Sequence, residues 1–156
     1  MKIGQGADFC YKSIQMTDEQ VKLVKSTWKL VRSIDPVIVG DLFYSKLFNE
    51  HPALRKMFPQ KMDQQYRKLM EMLSTIVARL ERFDELTKDI ADMARRHVGY
   101  GVRPAHYKMV GSALLWTLQQ GLGKDWTPKV EEAWIKCYTT LADTMINAST
   151  LQENGN

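Results

Sequence analysis

The decapeptide MARRHVGYGV, Met93–Val102, closes a patterned segment with a histidine and then runs into two glycines. Ile90, Met93 and His97 are spaced by three and then four residues, so on a helix all three share one face. The histidine therefore points toward apolar surroundings, near the carboxyl end of its helix. Two roles are open to it there: a core side chain satisfied by a hydrogen bond, or a ligand. Zinc asks for three or four side-chain donors, and neither His51 nor His106 forms an i, i+4 pair with His97. A single inward histidine suits only a cofactor that brings most of its own donors.

Outward from that stretch the pattern is helical throughout. No strand-like alternation runs long enough for a sheet, so the expected fold class is all-α. A first helix opens at Thr17, with Gln20 completing a capping box, and runs to about Ser33. Asp35-Pro36 starts a second, to Glu50, because the missing N–H of proline had no partner in a first turn anyway. His51-Pro52 interrupts it, and a short turn of helix is expected over Pro52–Met57. Met62, Tyr66, Leu69, Leu73, Ile76 and Leu80 then form one continuous apolar stripe, with Gln65 on its edge. Further helices are expected over Phe83–His97, Ala105–Leu122 and Pro128–Ala148, with a break at Gly99–Pro104 and a cap at Thr127-Pro128. Residues 1–16 read as a flexible extension and 149–156 as a frayed tail, leaving 17–148 as the one domain.

With 156 residues the chain has room for a substantial core but not for two ordinary enzyme domains. Its apolar share of 44% is that of an ordinary soluble protein, and no apolar run approaches a membrane span. The leader lacks the apolar block of a secretory signal, which makes the cytoplasm the expected compartment. Cys10 and Cys137 form neither a C-x-x-C pair nor the C-x-x-C-H sequence that attaches haem covalently. The net charge of +4 is spread over short pairs such as Arg55-Lys56, Arg67-Lys68 and Arg95-Arg96, a solvated surface and not a nucleic-acid face. No G-x-G-x-x-G follows a strand, so no flavin or nicotinamide site is expected.

Haem meets the condition that His97 sets. The porphyrin supplies four nitrogens, one neutral imidazole the fifth ligand, and the sixth position stays open to a gas. Such a group also needs an aromatic wedge, apolar walls, cations for its propionates and a few polar groups over the open position.

Residues of the right kinds stand at telling intervals. Pro52 opens the short helical turn and Phe58 follows six residues later; Tyr44 lies fourteen residues before Phe58; Gln65 lies thirty-two before His97, and Leu69 one helical turn after Gln65. The segment RRHVGYGVRPAHY, Arg95–Tyr107, places a tyrosine ten residues after the histidine, and Ala133-Trp134 sits in the last helix. In these features the chain resembles the globin family, above all the single-domain bacterial globins and the globin domain of flavohaemoglobins, over about Thr17 to Ala148.

The resemblance implies seven to eight helices around a pocket for one noncovalent haem b, with His97 as the iron ligand and Tyr44 and Gln65 on the distal side. It places Phe58, Leu69, Met93, Val102 and Tyr107 against the haem, and Lys68, Arg95 and Arg96 near its propionates. His106 fits the family's non-ligand histidine, and His51 is expected to be exposed. The implied function is reversible binding of dioxygen and other diatomic gases, carbon monoxide and nitric oxide, for transport, storage or buffering, with high oxygen affinity from Tyr44 and Gln65. The flavohaemoglobin likeness implies a second: nitric oxide dioxygenation, with electrons from a separate reductase. One departure bears on the choice. Where the flavohaemoglobin pattern has a glutamate on the last helix, counting from Ala133-Trp134 arrives at Ser149. A carboxylate there would push electron density through the histidine, so its absence favours gas binding over oxidative chemistry.

Overall fold

Three of the helices start at a residue whose side chain satisfies the first turn. The Thr17 hydroxyl accepts the N–H of Gln20, and the Gln20 amide oxygen accepts the N–H of Thr17, both at 3.0 Å. The Asp35 carboxylate accepts the N–H of Val37 at 2.9 Å, and the Thr127 hydroxyl that of Val130 at 3.2 Å. Each such cap contributes about 1 kcal/mol. The computed structural model describes residues 16–154; most of the N-terminal leader, with Cys10, lies outside the described residues.

Within them are six α-helices: α1 (Asp18–Arg32), α2 (Pro36–Glu50), α3 (Asp63–Ala78), α4 (Thr87–Gly99), α5 (Pro104–Leu122) and α6 (Pro128–Asn154). Short 3-10 segments cover Pro52–Met57, Leu80–Leu86 and Gly123–Asp125. No strand occurs among the described residues, and no helix there is long and apolar enough to cross a membrane.

Two boundaries differ from the sequence expectation. Helix α4 begins at Thr87 instead of Phe83, because Leu80, Phe83 and Leu86 recur every three residues and are buried together by a 3-10 turn, whose period is three. Arg82, at φ −120° and ψ 43°, keeps that turn from joining a longer helix. Helix α6 continues past Ala148 to Asn154.

Two tryptophans hold the centre of the core. Trp134 of α6 donates its indole N–H to the Thr27 hydroxyl of α1 at 2.9 Å, and Trp28 of α1 donates to the Ser74 hydroxyl of α3 at 3.0 Å. Their rings lie 6.1 Å apart, so the large apolar faces are buried with both polar handles paired. Elsewhere a glycine permits close approach: a Cβ on Gly40 of α2 would fall 2.5 Å from the Cβ of Tyr66 on α3.

The helices pair unevenly. α2 packs on α3 and α5, α1 on α6 and α3, and α4 on α6, but none of these principal pairings joins α3 to α4. Accordingly Met70, Leu73, Ile76 and Val77 of α3 are buried, whereas Gln65, Tyr66, Leu69 and Met72 are only half-buried. Of these, Tyr66 packs on Gly40 and Tyr44 of α2, whereas Met72, with Ile76, faces a cleft toward α4.

Candidate cofactor site

Helix α4 forms one wall of that cleft, with Ile90 and Ala94 buried beneath it. His97 is half-buried near its end, and the imidazole Nδ1 donates to the Met93 carbonyl at 2.7 Å. In a neutral ring this bond puts the proton on Nδ1 and leaves the Nε2 lone pair for a metal. The second glycine after the histidine, Gly101, now has a reason. The N–H of Val102 bonds to the His97 carbonyl and that of Gly101 to the Val98 carbonyl, each at 3.0 Å, with Gly101 at φ +90°. This is a Schellman ending, whose left-handed residue favours glycine, and it folds Val102 back over the turn that carries His97. Tyr100 lays its ring edge-on to the His97 ring, with centroids 6.4 Å apart.

The opposite wall is built by α2 and α3. Tyr44 of α2 is 5% exposed, and its hydroxyl accepts a hydrogen bond from the Gln65 side-chain amide of α3 at 3.2 Å. Because the hydroxyl accepts there, its own hydrogen remains to be donated to a further acceptor. Burial pushes the Tyr44 phenol up to about 12, against a smaller downward pull from the Gln65 bond, so it is a neutral donor at any physiological pH. Phe58 meets the Tyr44 ring edge-on at 5.3 Å and the Phe48 ring at the same separation, while Tyr66 stacks on Tyr44 at 5.8 Å.

Between the walls runs a depression lined by Met72 and Ile76 of α3, by Leu86, and by Ile90, Met93 and Arg96 of α4. A second, smaller hollow lies behind α4, among Val98, Val102, Arg103, Tyr107, Ile146 and Ser149. Tyr107 is held there through its carbonyl, which accepts from the Tyr138 hydroxyl at 2.5 Å. Ser149 turns its hydroxyl back to the Met145 carbonyl of its own helix at 2.8 Å. It lines the same hollow as Tyr107 and brings no charge.

The remaining site residues are placed less closely. Leu69 is half-buried on α3 and Lys68 is exposed beside it. Arg95 pairs with Asp92 on α4, so its charge is engaged, whereas Arg96 reaches the depression. His106 accepts the N–H of Arg103 at 3.0 Å through Nδ1 and serves as a cap for α5. His51 is half-buried at the end of α2 and not exposed as expected, because the chain turns there directly into the 3-10 segment. Sequence reasoning passed over Met72 and Tyr66 as site residues. Met72 was within reach, since Gln65, Leu69 and Met72 follow the four-three spacing of one helical face; Tyr66 was seen only as part of the apolar stripe.

No group of three or more histidine, cysteine, aspartate or glutamate side chains gathers to hold a metal among the described residues. The donor set is one imidazole with a free Nε2, beside apolar side chains left half-exposed between two unpaired helices. That set fits a flat cofactor carrying its own four donors and defines the class as an all-helical haem protein.

The chain belongs to the globin family: the profile described as Globin matches residues 41–145. A flavohemoprotein of Vibrio cholerae is 31% identical over 135 residues, which make up 85% of this chain but 34% of that protein, so the chain spans about a third of the length of such relatives. A globin-like protein of Aquifex aeolicus is 29% identical over 84% of this chain and 92% of its own length. The fold is shared with a bacterial globin from Campylobacter jejuni, at a TM-score of 0.78 and 21% identity, covering 88% of this chain and 99% of that one. Its cofactor is therefore haem, and the b type is the globin standard.

Proposed function

We propose that the protein binds dioxygen reversibly, and carbon monoxide and nitric oxide likewise, at haem held by His97. When bound, haem supplies an iron with one coordination position left for a gas. The chain does the rest. The Met93 carbonyl holds the tautomer of His97 and the plane of its ring. Phe58, Leu69, Met93, Val102 and Tyr107 exclude water, and Lys68 and Arg96 supply cations at the rim. The observation that carries this reading is the hydrogen bond from half-buried Gln65 to buried Tyr44, a pair of donors prepared for a polar diatomic guest.

Dioxygen at a ferrous site carries more negative charge than carbon monoxide, so the two donors favour it. A hydrogen bond to a charged acceptor is worth about 1.5 to 3 kcal/mol, or about tenfold to somewhat over a hundredfold in affinity. High oxygen affinity with slow release follows. Absorption spectra of the purified protein in ferric, ferrous and carbon monoxide-bound forms, with the oxygen dissociation rate, test the reading; absence of a ferrous carbon monoxide spectrum would sink it. A cytoplasmic location belongs to the same proposal, supported by a buried, unpaired Cys137.

The flavohemoprotein relatives support a second reading, nitric oxide dioxygenation with a separate reductase docking near Lys68 and Arg96. Nitrate formed per haem with NADH or NADPH, with and without host-cell extract, separates the two. Many turnovers with extract, slowed by Tyr44→Phe, favour the enzyme; one per haem favours gas binding. Ser149 tips the balance toward binding, since no carboxylate stands at that position beside Tyr107 to strengthen donation through His97.

A further inference from the structure

Among the described residues five large apolar side chains are exposed, and three of them belong to one turn. Tyr100 and Ile135 stand singly, as exposed apolar residues commonly do. Leu30, Val37 and Ile38, 49%, 43% and 55% exposed, flank the corner where α1 ends and α2 begins. That corner is fixed. The N–H groups of Ser33 and Ile34 bond to the Leu30 and Val31 carbonyls at 3.3 and 3.0 Å, and those of Ile38 and Val39 to the Asp35 carbonyl at 3.0 and 3.2 Å. Ile34 turns inward to pack on the core, and the Asp35 carboxylate caps α2. Three apolar side chains are thus held outward on a rigid turn, which leaves little ordering to be done on association.

The charges around them are divided between the two arms of the turn. Lys29 and Arg32, both exposed, stand at the end of α1, and exposed Asp35 opens α2. Among the described residues none of the three enters an ion pair. The order along the chain is symmetric about the peptide bond between Ser33 and Ile34: Leu30 answers Val37, and Arg32 answers Asp35 with opposite charge. A twofold axis through that point lays the end of α1 in one copy against the start of α2 in the other. Each contact then occurs twice, since in a twofold interface residue i meets j and j meets i. Leu30 meets Val37, Arg32 meets Asp35, and the stem of Lys29 covers Ile38. A face of one charge would repel its own copy, whereas this one is complementary to itself.

We propose that this corner is the contact by which two copies of the chain associate into a twofold dimer. The inference does not rest on the haem reading of the site. Few residues take part, so the dimer is a weak one that forms at high protein concentration.

Sedimentation equilibrium of the full chain, from micromolar to millimolar concentration, tests it. The weight-average mass of the parent should rise from that of one chain toward that of two. Leu30→Glu, which sets a carboxylate against Val37 and beside Asp35 of the other copy, should weaken association by roughly tenfold or more. The decisive arm mixes two charge variants. Arg32→Asp and Asp35→Arg should each fail to self-associate, because like charges then face each other across the axis. Their equimolar mixture restores both opposite pairs and should associate as the parent does. Far-ultraviolet circular dichroism of every variant should match the parent, which excludes loss of fold as the cause. A parent that stays a single chain at millimolar concentration overturns the proposal, and one that does so until residues 1–15 are deleted gives the corner to that segment instead. A parent that dimerises undisturbed by Leu30→Glu, or a mixture no better than its components, overturns it as well and places the contact elsewhere.

Discussion

The two walls of the cleft are tied down in opposite ways. On the distal wall the polar contacts run between helices: Gln65 of α3 to Tyr44 of α2, and Tyr66 of α3 to Asp41 of α2. On the proximal wall one such contact joins helices, from the Tyr138 hydroxyl of α6 to the Tyr107 carbonyl of α5, but the others stay close to home, with His97 bonded to Met93, Ser149 to Met145 and His106 to Arg103, each three or four residues away. A bond within a helix survives a small rigid shift of that helix, whereas a bond between helices is stretched by it. Iron ligation should therefore be robust to repacking, and ligand selection sensitive to it.

The largest expected break falls on the proximal side. His97→Ala removes the one imidazole in the cleft and should abolish stable haem uptake, while the same change at His51 or His106 leaves the ferrous spectrum nearly intact. A normal spectrum in the His97 variant would assign the ligand elsewhere. On the distal side Tyr44→Phe keeps the ring and removes the donor, so oxygen release should accelerate about tenfold or more without loss of haem. Gln65→Leu should act in the same direction. The double variant should be less than additive, because the two side chains share one hydrogen bond. Stopped-flow measurement of oxygen release decides, and unchanged rates in both single variants would place these side chains outside the pocket.

Two glycines set the walls against each other more finely. Gly40→Ala would put a Cβ 2.5 Å from that of Tyr66, forcing α2 and α3 apart at a cost of about 1–3 kcal/mol. Oxygen release should quicken by less than in Tyr44→Phe, with haem ligation unaltered. Gly101→Ala strains a residue at φ +90° and should cost about 1–2 kcal/mol. That loss should appear in thermal unfolding with little change in oxygen release, since the turn lies on the proximal side. Equal effects of both glycines on release would erase the contrast between the walls.

The smallest effect at working pH concerns Tyr44 itself. Its phenol, at about 12 in the fold against an ordinary 10.0, stays neutral, so oxygen release should be flat between about pH 6 and about pH 9. The sign of the stability effect follows from the same shift. Burial raises the folded value, so the contribution is complete below about pH 10 and is lost as the pH climbs toward about 12, where the unfolded chain ionises first. Tyr44→Phe should therefore make alkaline unfolding, followed by circular dichroism, less steep.

Much of the architecture was legible from residue pattern. The caps at Thr17, Asp35 and Thr127 and the helix break after His97 stand where the sequence puts them, because each is settled within about five residues. The start of α4 was misjudged by the same local logic: Leu80, Phe83 and Leu86 fit a helical period loosely, and only their burial on one side selected the 3-10 turn. The resemblance supplied Tyr44 and Gln65 as a pair, but nothing in the sequence between them joins their side chains.

By itself, then, the sequence determined the run of helices, the inward face that carries His97, and the glycine turn behind it. All of these are interactions of a residue with its own helix, present wherever that helix forms. Tertiary structure alone decided that α3 and α4 would find different partners and leave a cleft, that Gln65 would meet Tyr44 on its distal wall, and that Tyr66 would stack on Tyr44 and bond to Asp41. Those contacts join residues more than twenty positions apart, and their geometry is set by how closely two helices can approach. That distance is a property of the packed core as a whole.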